Sequence, residues 1–128
     1  MTETIVHHRV GTITLSGLLF SYSISEGTEI AYEDAVELIQ IGSEITAGKQ
    51  VGALVDIKSS FTITKDAREY FALHANQKQF KAIAILSGNL ASRLIANFYI
   101  RINRPEIPTR LFLDEVQALK WLRGYVNL

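Results

Sequence analysis

One stretch of the chain constrains the fold more than any other, because Val51–Phe71 begins with an apolar run and ends with a helical pattern. Within it, Val51–Ile57 is apolar except for Asp56, as expected of a strand that is covered on both faces. A hydroxyl-rich loop follows, and Thr64 is a good N-cap for the helix after it. The chain repeats this strand-to-helix succession twice more downstream, which favours a sheet with helices packed against it.

The N-terminal part of the chain predicts a hairpin followed by a helix. Apolar and polar residues alternate with the period of two that is typical of strands with one buried face. The turn at Ser16-Gly17 predicts that Ile5–Leu15 pairs with Leu18–Ile24, with a bulge at Gly11. A helix follows, so the predicted order is ββαβαβαβα. That order predicts an α/β fold (α+β in some schemes) with a mixed sheet packed against helices.

Length and composition agree with a single domain over residues 1–128. Of the 128 residues, 48% are apolar and 20% are charged, as in an ordinary globular protein. No apolar run approaches the roughly 20 residues that a membrane helix needs, and no signal-peptide pattern is present. The chain has no cysteine, which excludes disulfides and thiolate chemistry. We therefore expect a cytoplasmic protein without membrane insertion.

The net charge of zero hides an uneven distribution. Residues 1–50 hold seven acidic and two basic residues, whereas residues 51–128 hold six acidic and eleven basic ones. Solvated helix faces explain this difference, and so would head-to-tail attraction between subunits or an anionic partner. Nucleic-acid binding is not expected, because basic and aromatic residues do not interleave.

Six motifs carry a resemblance to a known family. They are an LVDI strand, a TxxAREYF helix, an AxAIL strand, an SRLIxNF helix segment, an NxPxxPxxLF segment and a terminal ALxWL: Leu54–Ile57, Thr64–Phe71, Ala82–Leu86, Ser92–Phe98, Asn103–Phe112 and Ala118–Leu122. Together with the order of elements, they resemble small bacterial STAS-like proteins, which have the fold of the SpoIIAA-type anti-sigma-factor antagonists. The resemblance implies a regulatory domain that binds proteins. STAS-like folds are also similar to the lipid-binding Sec14 type.

Two positions are candidates for binding or carrying a phosphate-like anion. The regulatory STAS proteins have a phosphorylatable serine at the start of the helix after the third strand, and Thr64 is the only hydroxyl at that junction here. We interpret Thr64 as an N-cap, because Asp66 would repel a phosphate placed on it. The second position is the turn before the third helix, where free N–H groups favour anions: Ser87, Gly88 and Asn89.

The third predicted helix, from about Leu90 to Ile102, carries the candidate interaction surface. At 100° per residue one basic row falls within a sector of about 80°, with Ile100 beside it. The row consists of Arg93, Asn97, Arg101 and Arg104. The opposite stripe is predicted to face the core, and it consists of Ala91, Leu94, Ile95, Phe98 and Ile102. The basic row suits a protein partner or an anionic ligand, and a solvated face is the alternative.

No catalytic motif is present, so we expect neither an enzyme nor a cofactor. Asp56, near the carboxyl end of a central strand, is the best single acid for a polar site, and it equally suits a cap of the following loop. His7 and His8 are adjacent in a predicted strand and point to opposite faces. His74 is predicted at the margin of the second helix. We therefore expect no metal site.

These observations predict a non-enzymatic STAS-like domain that acts through protein contact, as a homodimer or with a regulatory partner. The alternative is a carrier of a small apolar or anionic ligand. Its predicted cleft is lined by Phe61, Tyr70, Phe71, Phe98 and Tyr99. Trp121, next to Leu122 on the last helix, is predicted to be largely buried, with a cost of roughly 3–5 kcal/mol for Trp121→Ala.

Overall fold

The computed structural model describes residues 3–73 and 77–128. The strands are β1 (Glu3–His8), β2 (Gly11–Ser16), β3 (Leu19–Ile24), β4 (Thr28–Ile30), β5 (Val51–Asp56), β6 (Phe61–Ile63), β7 (Phe80–Leu86) and β8 (Thr109–Phe112). The helices are α1 (Tyr32–Thr46), α2 (Lys65–Ala72), α3 (Leu90–Phe98) and α4 (Glu115–Leu122), and a π-helical turn (Tyr99–Asn103) extends α3. No helix in these two ranges has the length and hydropathy that a membrane span requires.

Six strands form one sheet in the order β1-β2-β3-β5-β7-β8. The pairs β1–β2 and β2–β3 are antiparallel, and the pairs from β3 to β8 are parallel. The predicted mixed sheet with helices packed against it is confirmed. The parallel part follows from the repeated strand-to-helix succession, because a helical crossover returns the chain to the same end of the sheet. A separate parallel pair, β4 with β6, was not predicted, since three-residue strands leave no periodic pattern.

The N-terminal strands differ from the prediction. The predicted strand Ile5–Leu15 consists of two antiparallel strands, β1 and β2, with a turn at Arg9 and Val10 between them. Gly11 directly follows that turn, but it was interpreted as a bulge within one strand instead of as part of a turn. The bulge predicted at Gly11 is also wrong, because β2 pairs with both neighbours without a shift in register. Glycine is needed there for a different reason: a Cβ would lie 2.3 Å from Cε1 of Tyr22.

The sheet face under α4, which we call the α4 face, is closely packed. The residues of β7 that point to it are mainly alanines, which allow the helix to approach the sheet. Ala118 and Leu122 of α4 are fully buried against this face. A Cβ at Gly52 of β5 would lie 3.0 Å from Cγ2 of Val126, so little space remains.

Trp121 lies at the margin of the α4 face. Its ring packs against those of Phe112 and Tyr125, with centroids 5.6 and 5.1 Å away. It is partly buried against the cluster of this face, less completely than Ala118 and Leu122, so the predicted burial of the tryptophan holds in part. The fully buried positions of α4 are Ala118 and Leu122, and Trp121 falls to one side of the line that joins them.

The opposite face, under α1, α2 and α3, holds larger side chains, and we call it the three-helix face. Ile83 and Ile85 take the alternate positions of β7 there. Phe20 and Phe80 pack ring to ring at 5.1 Å. Because large side chains fill space less evenly than alanines, this face is where a cavity is expected.

Candidate functional site

Small residues hold α3 against the three-helix face. Asn89 is the N-cap, and its side chain accepts a hydrogen bond from the Ser92 N–H at 2.8 Å. The hydroxyls of Ser87 and Ser92 lie 2.5 Å apart, and both residues are buried, as is Ala96. Ser87 and Asn89, two members of the predicted anion position, therefore serve to seat the helix, while Gly88 between them is exposed. Anion binding at this turn stays a prediction.

Three large apolar residues of α3, and a fourth in the π-helical turn, lie on the outer side. They form what we call the α3 ridge: Leu90 (63% exposed), Leu94 (61%), Phe98 (46%) and Ile102 (62%). The core stripe predicted for this helix is wrong for four of its five members, because Ala91, Leu94, Phe98 and Ile102 face solvent. The fifth, Ile95, is half-buried and turns inward. The helix instead turns its small side chains inward, which brings its backbone close to the sheet.

The basic row predicted on this helix lies beside the ridge. Arg93 and Ile100 are half-buried, and Asn97, Arg101 and Arg104 are exposed. The angular spacing assumed for an α-helix does not hold through the π-helical turn, which is wider. Arg104 ends the turn with a left-handed φ of 50°. The row as an interaction surface stays a prediction, and the ridge adds to it an apolar part larger than Ile100.

Arg68 of α2 lies on the other side of the ridge. Its guanidinium carbon is 4.8 Å from the centroid of the Phe98 ring, which is a cation–π geometry. Its Nη1 donates a hydrogen bond to the Ile63 carbonyl at 3.3 Å. These residues and Leu94 and Ile95 line a shallow groove between α3 and β6. The ridge thus has arginines on both sides.

A cavity of about 150 Å³ lies beneath α3, between the three-helix face and α1 and α2. Its wall is almost entirely apolar. Phe61, Phe71 and Tyr99, which were predicted to line a cleft, do line this cavity. Tyr70 instead packs edge-on against a tyrosine of α1, and Phe98 lies outside on the ridge. Three of the five predicted residues therefore share one cavity.

The two tyrosines of the cavity wall are held neutral. Burial raises the pKa of Tyr99 to about 12, although a hydrogen bond from Gln77 Nε2 to its hydroxyl, 2.8 Å long, acts in the opposite direction. Burial, helped by the negative charge of Asp34, also raises the pKa of Tyr22 well above its usual value. The Tyr22 hydroxyl donates to the Val10 carbonyl at 2.7 Å. Neither phenol adds a negative charge to the cavity at neutral pH.

Thr64 and Asp56 act as caps. Thr64 Oγ1 accepts a hydrogen bond from the Ala67 N–H at 3.3 Å and donates one to Asp66 Oδ1 at 2.5 Å. The predicted N-cap is confirmed, and a switch at Thr64 stays a prediction. Asp56 Oδ1 accepts a hydrogen bond from the Lys58 N–H at 3.0 Å, as expected of a residue that caps its own loop.

A polar cluster at the start of α1 was missed by the sequence patterns, because its members come from separate elements. The Arg9 guanidinium donates to the Asp34 carboxylate, which also accepts a hydrogen bond from the Ala31 N–H at 2.9 Å. His8 Nε2 lies 2.7 Å from Glu37 Oε1. Burial alone would raise the pKa of Asp34, but the hydrogen bonds from Ala31 and Arg9 outweigh it and lower this pKa.

Three members of this cluster, His8, Asp34 and Glu37, are close enough together to be considered as metal ligands. Their existing bonds argue against that role. The Val10 N–H donates to His8 Nδ1 at 3.2 Å, so a neutral His8 carries its proton on Nε2, the atom that faces Glu37. Arg9 already neutralises Asp34. The cluster is therefore best described as one ion pair, Arg9 with Asp34, and a set of hydrogen bonds that tie β1 and the turn after it to α1.

The remaining histidines do not join this cluster. His7 is exposed, and its Nδ1 lies 3.3 Å from Thr12 Oγ1. His8 turns towards α1 instead, which confirms that the two adjacent histidines point to opposite faces. His74, predicted at the margin of α2, lies outside the residues that the structure describes.

The chain matches one family model over most of its length. Residues 13–126 match a domain of unknown function, DUF7793. No curated protein matches the chain. Among solved structures, the chain is similar to an uncharacterised protein of the DUF3478 family from Shewanella loihica PV-4 that has a SpoIIAA-like fold. The two are 18% identical, with a TM-score of 0.56 and coverage of 94% of this chain and 92% of the other. This likeness confirms the SpoIIAA-like fold that the sequence motifs implied.

Proposed function

This chain belongs to the DUF7793 family, and we propose that it is a non-enzymatic protein-interaction domain whose docking surface is the α3 ridge. The observation that carries this proposal is the exposure of four large apolar side chains, spaced four residues apart along α3 and its π-helical turn. Single apolar residues are common on protein surfaces, whereas a contiguous patch is typical of a contact surface. Phe98, near the middle of the ridge, supplies an aromatic anchor of the kind that interfaces favour.

The bonds of the candidate polar residues support a role without catalysis. Asp56 and Thr64 each cap a segment, and Ser87 is buried against Ser92. A catalytic acid or nucleophile needs a side chain that is free to reach a substrate. The SpoIIAA-like fold agrees with a regulatory role, and we place the protein in the cytoplasm as part of this proposal, which the absence of cysteine suits.

The charges beside the ridge indicate what it binds. Arg93 and Arg101 each stand one position before a ridge residue in sequence, so both lie along one side of the ridge. Arg68 lies along the other side. A second copy packed ridge against ridge would bring arginines against arginines, which opposes association. We therefore propose a partner protein segment with apolar side chains flanked by carboxylates, and a homodimer is the alternative.

Photocrosslinking from the ridge tests this surface. A benzophenone amino acid replaces Phe98, and a control replaces Val116, which is 67% exposed on α4. We expect a partner that crosslinks from position 98 and not from 116. The purified partner should then bind the wild-type chain and lose about tenfold or more in affinity for Leu94→Glu, while Val116→Glu has little effect. Equal affinity for Leu94→Glu would contradict the proposed surface.

Sedimentation of the purified protein separates a partner from self-association. We expect a monomer at concentrations of about 100 µM, because like charges oppose ridge-to-ridge contact. If the protein is a dimer that dissociates in Phe98→Glu but not in Val116→Glu, the ridge is the interface with a second copy. A dimer that neither change affects would place the dimer interface elsewhere, and the edge strand β1 would be the next candidate.

A further inference from the structure

Three polar atoms at the wall of the cavity beneath α3 are buried and have no hydrogen-bond partner in the described structure. They are Arg68 Nε, Gln77 Oε1 and Gln79 Nε2. Gln77 is 3% exposed and Gln79 is 9% exposed, so bulk water does not satisfy them. Buried polar atoms are nearly always paired, because an unpaired one loses its hydration without compensation. Three such atoms around one cavity therefore point to a bound molecule that supplies the missing bonds.

The types of these atoms define the polar part of that molecule. Arg68 Nε and Gln79 Nε2 are donors, so they require an acceptor. Turning the Gln77 amide by 180° exchanges its Oε1 and Nε2. The Tyr99 hydroxyl then donates to Oε1, and Nε2 becomes a third free donor. Arg68 is also the one charged residue among the described residues that line the cavity. An anionic oxygen acceptor satisfies these conditions, and a cation does not.

The size and the walls of the cavity define the remainder of the molecule. A protein cavity of roughly 150 Å³ with apolar walls is known to hold a benzene ring. The cavity here has about that volume. Arg68, Ile63 and Ile95 line both this cavity and the groove beside the α3 ridge, so Arg68 stands where the cavity meets the surface. A molecule with its apolar body inside and its anionic group at Arg68 keeps that group partly hydrated, which limits the cost of desolvation.

We propose that this cavity binds a small apolar monocarboxylate, with a body about the size of a benzene ring and with Arg68 and Gln79 as donors to its carboxylate. The site shares Arg68 with the docking surface but uses different residues of α3, the buried side instead of the exposed one, so either proposal can fail without the other. The carboxylate forms a charge-assisted hydrogen bond with Arg68, which is stronger than a neutral one.

Titration with three carboxylates of different shape tests the proposal: 4-fluorobenzoate, cyclohexanecarboxylate and 3-methylbutanoate. Binding is followed by calorimetry, and for the fluorinated probe also by ¹⁹F NMR. We expect saturable binding of at least one with a Kd between about 10 µM and 1 mM. 4-Fluorobenzylamine, which has the same ring and the opposite charge, is expected not to bind. No saturable binding of any carboxylate, or equal binding of the amine, would overturn the proposal.

Matched variants test which residues hold the probe. Arg68→Met keeps an unbranched apolar stem and removes the guanidinium with its charge, so we expect at least about a tenfold loss in affinity. Gln79→Leu is expected to weaken binding about threefold to tenfold. Arg123→Met removes an exposed arginine after α4, outside the cavity and the ridge, and is expected to change affinity less than about twofold. If Arg68→Met binds as tightly as the wild type, the carboxylate is not held at Arg68 and the proposal fails.

Methyl NMR of the wild-type chain locates the probe without a variant that could unfold. We expect the methyl signals of Ile85 and Ile95, which line the cavity, to shift on saturation, while that of Leu122 on the α4 face stays in place. Shifts confined to surface methyls such as Leu90 would show binding outside the cavity and overturn the assignment. Ala96→Leu, which fills the cavity, should abolish binding if the variant remains folded.

Discussion

The two faces of the sheet are packed in different ways. On the α4 face, alanines and Gly52 let α4 and the residues after it approach so closely that a Cβ at Gly52 would lie 3.0 Å from Val126 Cγ2. On the three-helix face, a cavity of about 150 Å³ remains under α3, with unpaired polar atoms in its wall. The same helix α3 leaves its largest apolar side chains in solvent.

This difference indicates how the fold divides stability from binding. Close packing of small residues gives the most contact per buried atom, so the α4 face is expected to contribute stability and little else. Cavities, unpaired polar atoms and exposed apolar patches all cost folding free energy, and proteins keep them mainly at functional sites. All three occur around α3. Both proposals therefore concern the three-helix face.

The largest expected effect comes from truncating the centre of the α4 face. Leu122 is fully buried there, so Leu122→Ala should lower the free energy of unfolding by about 4 kcal/mol. Leu94→Ala, the same change on the α3 ridge, should cost less than about 0.5 kcal/mol, because the side chain is already 61% exposed. Urea denaturation of both variants measures the contrast. Similar losses would show that the ridge is part of the core.

Trp121→Ala is expected to cost about 2 kcal/mol, less than the roughly 3–5 kcal/mol predicted for a buried tryptophan. The ring is half-buried, so the substitution removes its contacts with Phe112 and Tyr125 but leaves a smaller cavity than the loss of a fully buried ring would. Thermal and urea denaturation measure the loss in free energy of unfolding, and the loss measured for Leu122→Ala serves as the reference. A loss as large as that of Leu122→Ala would mean that the margin of the α4 face is as tightly packed as its centre.

The strand and helix pattern could be predicted from sequence because it depends on local periodicity. The three strand-to-helix successions, the cap at Thr64 and the loop cap at Asp56 were all predicted correctly. The turn at Arg9 and Val10 was missed, because Gly11, which directly follows it, was interpreted as a bulge inside one long strand. The pair β4–β6 was missed because each strand is too short to show a period.

The candidate site was harder to predict, because it depends on which side of a helix packs inward. Apolar side chains occupy most of α3, and the largest ones were assigned to the core. The better signal is the small pair Ser92 and Ala96, four residues apart, which marks a side that approaches a sheet closely. The cavity could not be predicted, since its wall combines residues of β2, β3, α1, β5, α2, β7 and α3, which only the tertiary fold brings together.

The pH dependence of stability tests the burial of Tyr99 in the cavity wall. Its pKa is raised to about 12 in the folded chain, against about 10 when unfolded, so the folded state holds the proton more tightly. The free energy of unfolding should therefore be unaffected by this group below pH 10 and should fall as the pH rises from about 10 to 12. Between pH 8 and 11, the free energy of unfolding should therefore fall by about 1 kcal/mol less in Tyr99→Phe than in the wild type. Parallel curves for the two proteins would contradict this burial.

Neighbouring residues of β5 allow the two faces to be compared by adding carbon atoms to each. Gly52→Ala places a methyl against Val126 and Leu122 on the α4 face and should cost about 1 kcal/mol. The clash alone would cost more, but replacing glycine also lowers the conformational entropy of the unfolded chain, which offsets part of it. Ala53→Val adds two methyls that point into the cavity and should be neutral or slightly stabilising. Urea denaturation gives both values. A larger loss for Ala53→Val would show that the cavity wall does not admit the added methyls.

The smallest effect is expected at Thr64, the cap of α2. Thr64→Ala removes the bond to the Ala67 N–H and should cost at most about 1 kcal/mol, because Asp66 Oδ1 also accepts from that N–H at 3.0 Å. Thr64→Asp keeps a capping oxygen but places a second carboxylate beside Asp66, so the two effects nearly cancel and the cost should be a few tenths of a kcal/mol. Denaturation measures the cost of both variants, and sedimentation and partner binding should be unchanged in both. If Thr64→Asp left stability intact but released the partner from the α3 ridge, Thr64 would be a phosphorylation switch rather than a cap alone.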